Sequence, residues 1–188
     1  MLVGKRVKLS PVEREHLVLL KNWRNDSDIR GRYFYSLPCT DLGQELWYDQ
    51  SIKSGKSVFF IITYQGTKTS AARAPLIGYC GISDIDWKKR RGVVSIIIGN
   101  KKYWGRELGV EVLALLFGYA FSEMGLHKVS IYAYSENQRS INLFKKFAAV
   151  EGELIAHEFH DGAWRNVTML GLTEDVYFSR VRKKYAAR

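Results

Sequence analysis

The middle of the chain has a pattern that leaves few folds open: an apolar strand, a loop with glycines, a long apolar helix and a second strand. Residues 92–99 are almost continuously apolar, which is typical of a strand buried on both faces. Helical spacing follows from about Gly105 to Met124, and Gly125 is well placed to end that helix in a left-handed conformation. Alternation over residues 128–134 then predicts a strand. The pattern therefore predicts a β-α-β unit within a sheet.

Shorter elements on either side extend this unit. A helix over 10–23 is expected to begin at Ser10, because Pro11 and Glu13 complete a capping box there. A second helix is expected to begin near residue 40, with Leu42 and Leu46 facing inward. The remaining predicted strands cover residues 5–9, 58–64, 76–82, 153–159 and 166–172, and a short helix covers residues 138–147.

The resulting order is β-α-α-β-β-β-α-β-α-β-β. It predicts an α/β domain of the α+β mixed-sheet kind, with helices on both faces of a central mixed sheet. No repeat or linker divides the chain. We expect one domain over residues 1–175, followed by a basic C-terminal tail over residues 176–188.

Charge and cysteine content restrict the setting. The 188 residues include 29 basic and 19 acidic side chains, and the net charge of +10 favours anionic ligands. With only Cys39 and Cys80, and without an export signal, a disulfide framework is not expected. No apolar run approaches the ~20 residues that span a bilayer. The sequence thus predicts a cytoplasmic protein without a membrane partner, as a monomer or homodimer.

Two common kinds of site lack their motifs. Residues 54–57 resemble the end of a phosphate-binding P-loop, but Gln50 stands where that motif has glycine, and a helix precedes it where a strand is needed. The histidines and cysteines show no metal-ligand spacing. Nucleotide hydrolysis and a metal site are therefore not expected.

Two other segments suit an anionic ligand. Residues 103–111 lead from the apolar strand into the long helix, where backbone N–H groups are unpaired at the positive end of the helix dipole. Residues 135–147 begin a helix near Asn137, with Ser140 one turn later. Taken alone, the first segment also fits an ordinary glycine turn, and Asn137 also fits a simple helix cap.

Together, and in this order, the segments resemble the GCN5-related N-acetyltransferase (GNAT) superfamily. The resemblance covers residues 5–172 and is closest to the subgroup of ribosomal-protein N-acetyltransferases, spermidine acetyltransferases and amino-sugar-nucleotide acetyltransferases. It implies acetyl-coenzyme A as cosubstrate, with the loop amides on the pyrophosphate and the second segment on the pantetheine arm. The cofactor-binding residues that it implies are Ile97, Ile98, Trp104, Gly105, Arg106, Glu107, Leu108, Gly109, Val110, Asn137, Ser140 and Phe144.

Three residues depart from the family's motifs. Trp104 stands where the first motif has arginine or glutamine, and Glu107 replaces its middle glycine, so a carboxylate would lie close to the pyrophosphate unless it points away. Phe144 occupies the place of a tyrosine that often protonates the departing thiolate, and phenylalanine has no proton to donate. Ser140, Tyr134 or solvent would have to supply that proton.

The resemblance implies direct attack of a primary amine on the thioester. Because such an amine is mostly protonated at neutral pH, a base or a chain of waters must first remove a proton. A strand that parts from its neighbour at residues 95–98 would offer a backbone amide to the thioester oxygen. Val93 stands where the family often has glutamate, so Asp84 and Asp86 are the preferred candidates for the base, although both also fit solvated turn acids.

Three classes of acceptor fit this chemistry. A polyamine needs an acidic pocket, and the net charge of +10 argues against it. An amino-sugar nucleotide or a protein N-terminus would suit a basic surface, and the subgroup favours the protein N-terminus. A non-catalytic adaptor that binds RNA or the ribosome is the alternative from another class. The residues expected to meet the acceptor are Trp23, Arg24, Arg30 and Tyr33, together with Arg32 and Tyr35.

Overall fold

Eight strands form one mixed sheet in the computed structural model, which describes residues 1–34, 37–66 and 74–185. The strands are β1 (Leu2–Val3), β2 (Val7–Pro11), β3 (Val58–Tyr64), β4 (Leu76–Asp86), β5 (Arg91–Ile98), β6 (Lys128–Tyr134), β7 (Ala149–His160) and β8 (Ala163–Thr173). Their order across the sheet is β1-β2-β3-β4-β5-β6-β8-β7. β5 and β6 run parallel, and the other neighbouring pairs are antiparallel.

The helices include the four that the sequence predicts, in the predicted order, and three short ones that it does not predict. They are α1 (Leu17–Asn25), α2 (Ser27–Arg30), α3 (Asp41–Trp47), α4 (Leu108–Gly118), α5 (Gln138–Phe144), α6 (Glu174–Val176) and α7 (Arg182–Tyr185). A 3₁₀ turn precedes α1 at Arg14–His16, and π-helical turns continue α3 over Tyr48–Lys53, α4 over Tyr119–Glu123 and α6 over Tyr177–Val181. Within the described ranges, no helix is both long and apolar enough to cross a membrane.

Alternation along the strands divides the core between the two faces of the sheet. In β3, Phe60 and Ile62 belong to a large cluster that includes the buried face of α4. Phe59 and Ile61 point the other way, into a smaller cluster that includes α1. Two-sided burial explains the unbroken apolar run of β5. The predicted α/β mixed-sheet fold with helices on both faces is confirmed.

β5 and β6 stay together over a short stretch. Their register consists of three residue pairs near the start of both strands: Arg91–Lys128, Gly92–Val129 and Val93–Ser130. Beyond these pairs the strands share no register, so a gap opens between their carboxyl ends at Ile98 and Tyr134. The peptide groups of β5 that face this gap have no strand partner there among the described residues.

Two details of the predicted helices are wrong. β2 continues through Pro11, because its pairing with β3 extends to that residue, so the first helical turn begins after Glu13 and not at Ser10. Leu42 and Leu46 of α3 were expected to face inward but are 69% and 48% exposed. Other side chains of α3 face the sheet instead, because hydrophobic spacing alone does not fix the rotation of a short helix.

The C-terminal residues, predicted as a basic tail over 176–188, continue the fold as far as Tyr185. Tyr177 and Val181 are buried in the large core cluster, and Tyr177 stacks on Phe121 with ring centroids 4.9 Å apart. The basic side chains of α7 lie on the exposed side of this helical segment. Residue 176 therefore falls within a packed element, and residues 186–188 lie outside the described ranges.

Candidate functional site

A cavity of about 480 Å³ lies beside the gap between β5 and β6. Its wall combines the end of β5, the loop before α4, the start of α4 and one side of α5, while α2 and the residues after it contribute the opposite wall. The predicted cofactor-binding residues on this wall are Ile97, Ile98, Trp104, Gly105, Arg106, Glu107, Leu108, Gly109, Val110 and Ser140. The cavity is also lined by residues without a predicted cofactor role, which include Ile29, Arg32, Tyr33, Tyr103, Arg139 and Lys146.

The loop before α4 presents backbone N–H groups beside the cavity. Gly105 (φ +78°) and Glu107 (φ +55°) are both left-handed and turn the chain sharply before α4 begins at Leu108. Val110 donates to the Glu107 carbonyl at 3.3 Å. The N–H groups of Leu108 and Gly109 have no acceptor in the described part of the chain. Unpaired N–H groups at the positive end of an 11-residue helix form an anion site.

Glu107 brings a negative charge close to this anion site, and Lys146 pairs with it. The carboxylate lies 3.4 Å from Lys146 Nζ and is 76% exposed, so water also screens it. Lys146 comes from just after α5, which places a second element at the edge of the loop. This pairing reduces the repulsion that the sequence predicts between Glu107 and a bound pyrophosphate.

Trp104 has a structural role in place of the family's arginine or glutamine. Its indole Nε1 donates to the Ile98 carbonyl at 2.7 Å, which fixes the loop against the end of β5. The guanidinium groups of Arg32 and Arg139 lie 5.2 and 5.6 Å from the centre of its ring. Trp104 therefore positions two cations at the cavity. Arg139 belongs to no motif, and only its location in the first turn of α5 could have indicated it.

The second predicted segment contributes through α5. Asn137 caps this helix by accepting a hydrogen bond from the Ser140 N–H at 3.1 Å. Ser140 lines the cavity, whereas Asn137 and Phe144 are not among its described lining residues. Phe144 is only 3% exposed and packs in the large core cluster. Phe144 occupies the motif position of the family's tyrosine, but its side chain is not on the cavity wall, where the CoA thiolate would leave.

Tyr134 ends β6 on the far side of the gap. Its ring is 2% exposed and packs edge-on against Phe34, with centroids 4.8 Å apart. Its hydroxyl is buried without a hydrogen-bond partner among the described residues. Burial raises the pKa of Tyr134 to about 12, with the charges of Glu158 and Asp161 as further causes. The phenol is therefore a proton donor, and not a base, throughout the physiological range.

Asp84 and Asp86 lie at the opposite end of β5 from the cavity. Asp86 pairs with Arg91, and the seven residues from there to Ile98 cover roughly 23 Å. Asp84 occupies a bulge with φ +51°, and Asp86 accepts a hydrogen bond from the Lys89 N–H, which lowers its pKa. The structure does not support either as the base, because both lie at the end of the sheet where β5 and β6 are still paired, away from the cavity.

The predicted acceptor residues do not form one surface. Tyr33 lines the cavity, but Trp23 is 8% exposed and stacks on Tyr79 in the smaller core cluster. Arg24 donates to the Gln44 side chain at 2.7 Å, behind that cluster. Arg30 ends α2 and is not among the described lining residues. Arg32 lines the cavity beside Trp104, and Tyr35 lies outside the described residues.

These features fit coenzyme A. Its phosphates match the free N–H groups of α4 and the side chains of Arg32, Arg106, Arg139 and Lys146, which all line the cavity. A gap in the sheet leaves backbone groups available to an extended pantetheine arm. Within the described ranges, no three acidic, histidine or cysteine side chains form a group suited to a metal ion.

Comparison with known proteins agrees with this geometry. Residues 6–150 match the family described as Acetyltransferase (GNAT) domain. A spermidine N(1)-acetyltransferase of Escherichia coli is 27% identical over 180 residues, which is 92% of this chain and 89% of the relative. The alpha/beta-tubulin-N-acetyltransferase 9 of Mus musculus is 26% identical, over 78% of this chain and 62% of the relative.

A solved structure has the same fold. The spermidine N-acetyltransferase of Vibrio cholerae, crystallised with CoA and spermine, superposes with a TM-score of 0.84 at 21% identity and covers 94% of this chain and 100% of its own. The family match spans most of the chain and includes the parted strands and the loop before α4. The chain thus belongs to the GNAT acetyltransferase family and is an acetyl-CoA-dependent N-acetyltransferase that acts on amines.

Proposed function

We propose that the acceptor is a primary amine of a small polycation of the polyamine class. The observation behind this proposal is the charge around Tyr134: carboxylates of Glu136, Glu158 and Asp161 act on its hydroxyl, against the single cation of Arg165. Arg165 is itself paired with Glu136 at 3.1 Å. An excess of carboxylates at the carboxyl end of β6 suits a ligand with several ammonium groups.

The net charge of +10 argues against a polyamine only if the positive charge surrounds the acceptor site. That total describes the whole surface, whereas affinity for a ligand depends on charges within about a Debye length, ~8–10 Å, of its site. The cations cluster instead on the CoA side of the gap, at Arg32, Arg106, Arg139 and Lys146. The names of relatives from Escherichia coli and Vibrio cholerae further support the polyamine class over a protein N-terminus. An RNA-binding adaptor has no comparable support.

The reaction follows from the groups at the gap. The free amine attacks the thioester carbonyl carbon, a C–N bond forms, and the C–S bond breaks with release of a thiolate. Unpaired N–H groups of β5 between residues 94 and 98 are placed to stabilise negative charge on the thioester oxygen. Tyr134, kept neutral by its pKa of about 12, supplies an O–H donor on the opposite side. Ser140 supplies a hydroxyl on the cavity wall.

The acceptor class is tested by acetyl transfer from labelled acetyl-CoA to a panel of spermidine, spermine, amino-sugar nucleotides and peptides with free N-termini. We expect kcat/KM to be at least tenfold higher for the polyamines. E158Q should raise KM for the polyamine several-fold without changing KM for acetyl-CoA, whereas E153Q, on the same strand, should change neither. Activity confined to the peptides or the sugar nucleotides would overturn the proposal.

A further inference from the structure

His160 is a buried imidazole whose nitrogens have no hydrogen-bond partner in the described ranges. It ends β7 and is 4% exposed, and neither Nδ1 nor Nε2 has a hydrogen-bond partner among the residues that the structure describes. Nε2 lies 3.3 Å from Asp161 Oδ2, an electrostatic contact without the alignment of a hydrogen bond. Buried polar groups are almost always paired in folded proteins, because leaving one unpaired is costly. Two free nitrogens on one buried ring therefore need an explanation.

The hydroxyl of Tyr134 is the third unpaired polar atom in the same place. The Tyr134 and His160 ring centroids are 5.4 Å apart. Phe34 also packs against Tyr134, and it directly follows Tyr33, which lines the cavity. Among the described residues, the Tyr134 hydroxyl and the two His160 nitrogens are thus unpaired on adjacent rings, near the gap between β5 and β6. Together they could bind a group that both donates and accepts hydrogen bonds.

Local backbone geometry directs His160 to this place. A bulge between Leu154 and Glu158 interrupts the β7–β8 pairing, and Ala156 within it has φ +46° and donates its N–H to Asn166 Oδ1 at 2.9 Å. Bulges bend a strand and re-aim its side chains. Asp161 (φ +47°) and Gly162 then make a tight turn, so that His160 points inward while its neighbour Phe159 is 58% exposed.

We propose that His160 is the general base that removes a proton from the acceptor ammonium group, with Asp161 as its positioning residue. This inference rests on the proposed function. Asp161 favours the tautomer with hydrogen on Nε2, which leaves the Nδ1 lone pair free. Nδ1 takes one proton from the ammonium group, and the amine lone pair then forms the C–N bond. The second amine proton leaves after attack and neutralises the departing thiolate.

The charges around His160 suit this role. Asp161 is in contact with it, and Tyr134 faces it as a neutral phenol. Glu158 on β7 and Glu136 after β6 add negative charge in the same region, and Arg165 on β8 is held by Glu136. The proton that His160 receives can leave through Asp161, whose side chain is 60% exposed.

The test compares H160Q with wild type, using the polyamine as acceptor and recording kcat/KM from pH 5.5 to pH 9.5. His157, exposed on the same strand, gives the matched control H157Q. We expect H160Q to lose about 100-fold at pH 7, as for other general bases. Its log kcat/KM should rise with a slope near 1 toward high pH, because only acceptor that is already deprotonated reacts. Wild type and H157Q should show a plateau there.

Affinity for CoA, measured by calorimetry, distinguishes lost chemistry from lost folding. If H160Q no longer binds CoA, D161N becomes the test, because this exposed residue does not support the core. D161N should lose about tenfold at pH 7 and show the same change of slope. A uniform loss at every pH in the folded variant, or no loss, would overturn the role of His160. A wild-type enzyme inactive on every polyamine would instead overturn the proposed acceptor.

Discussion

At the scale of single residues, Glu107 adopts a backbone conformation that is costly for a residue other than glycine. It adopts φ +55° as the residue before α4, where the family's motif has a glycine. A left-handed conformation costs an L-residue about 1–2 kcal/mol, whereas glycine adopts it readily. Among the described residues, its carboxylate has one ion pair, the partly screened pair with Lys146. Glu107 therefore raises the energy of the loop conformation, and other interactions must hold the loop in this shape.

We predict that E107G stabilises the protein and tightens CoA binding. The free energy of unfolding in urea should rise by about 0.5–1 kcal/mol, because strain is removed and part of the gain is offset by the flexibility of glycine in the unfolded chain. Kd for CoA should fall several-fold, because a carboxylate leaves the anion site. E107Q removes the charge but keeps the strain, so it should tighten CoA binding without added stability. A less stable E107G would contradict this account of the loop.

At the scale of elements, Glu111 joins the start of the sheet to the first turn of α4. Its carboxylate accepts hydrogen bonds from the backbone N–H groups of Arg6 at 2.7 Å and Val7 at 3.2 Å, and from Arg6 Nε at 3.1 Å. The turn between β1 and β2 closes tightly over it, since a Cβ at Gly4 would lie 2.4 Å from Glu111 Oε1. One side chain thus fixes the helix that presents the anion site.

Removing that carboxylate should loosen α4 against the sheet. For E111A we expect a loss of about 2–3 kcal/mol in the free energy of unfolding, because charge-assisted hydrogen bonds are lost and two backbone N–H groups lose their acceptor. E123A, at an exposed position near the end of the same helical segment, should change stability by less than about 0.5 kcal/mol. Equal effects of the two changes in urea unfolding would mean that Glu111 does not fasten α4.

The elements themselves could largely be predicted from the sequence, because their signals are local. Val58–Tyr64 and Lys128–Tyr134 have the predicted bounds, and Gly125 (φ +64°) ends the long helical segment as expected. The loop before α4 could also be predicted, because Gly105 and the start of the helix lie close together in the sequence. Asp84 was proposed as a base because it follows a strand in the sequence, and the sequence does not show which end of the sheet that strand reaches.

His160 was missed for a related reason. In the sequence it is part of a turn motif with Asp161 and Gly162, which predicts a hairpin and nothing more. Its burial depends on the bulge at Ala156, and its ring lies beside that of Tyr134, which belongs to a different strand. Contacts between distant segments, unlike capping boxes and alternation, leave no pattern in a single sequence.

At the scale of the whole molecule, the C-terminal helical segment belongs to the core as much as to the surface. Tyr177 is 5% exposed and stacks on Phe121. We predict that Y177A lowers the free energy of unfolding by about 3 kcal/mol, as for other buried aromatic residues. The triple change R182Q/K183Q/K184Q, on exposed positions, should leave the urea midpoint nearly unchanged. The reverse ranking would show that this segment acts through its charge and is a tail, as the sequence suggested.

The three residue pairs that join β5 to β6 have a mechanical consequence. On one side of this seam lie five strands, and on the other side three. A ligand bound along this seam contacts both groups of strands, so the free energy needed to separate them grows with the ligand concentration. The gap that binds the cosubstrate is thus also where the sheet is most weakly joined. The protein without CoA is therefore expected to unfold more readily than the protein with CoA bound.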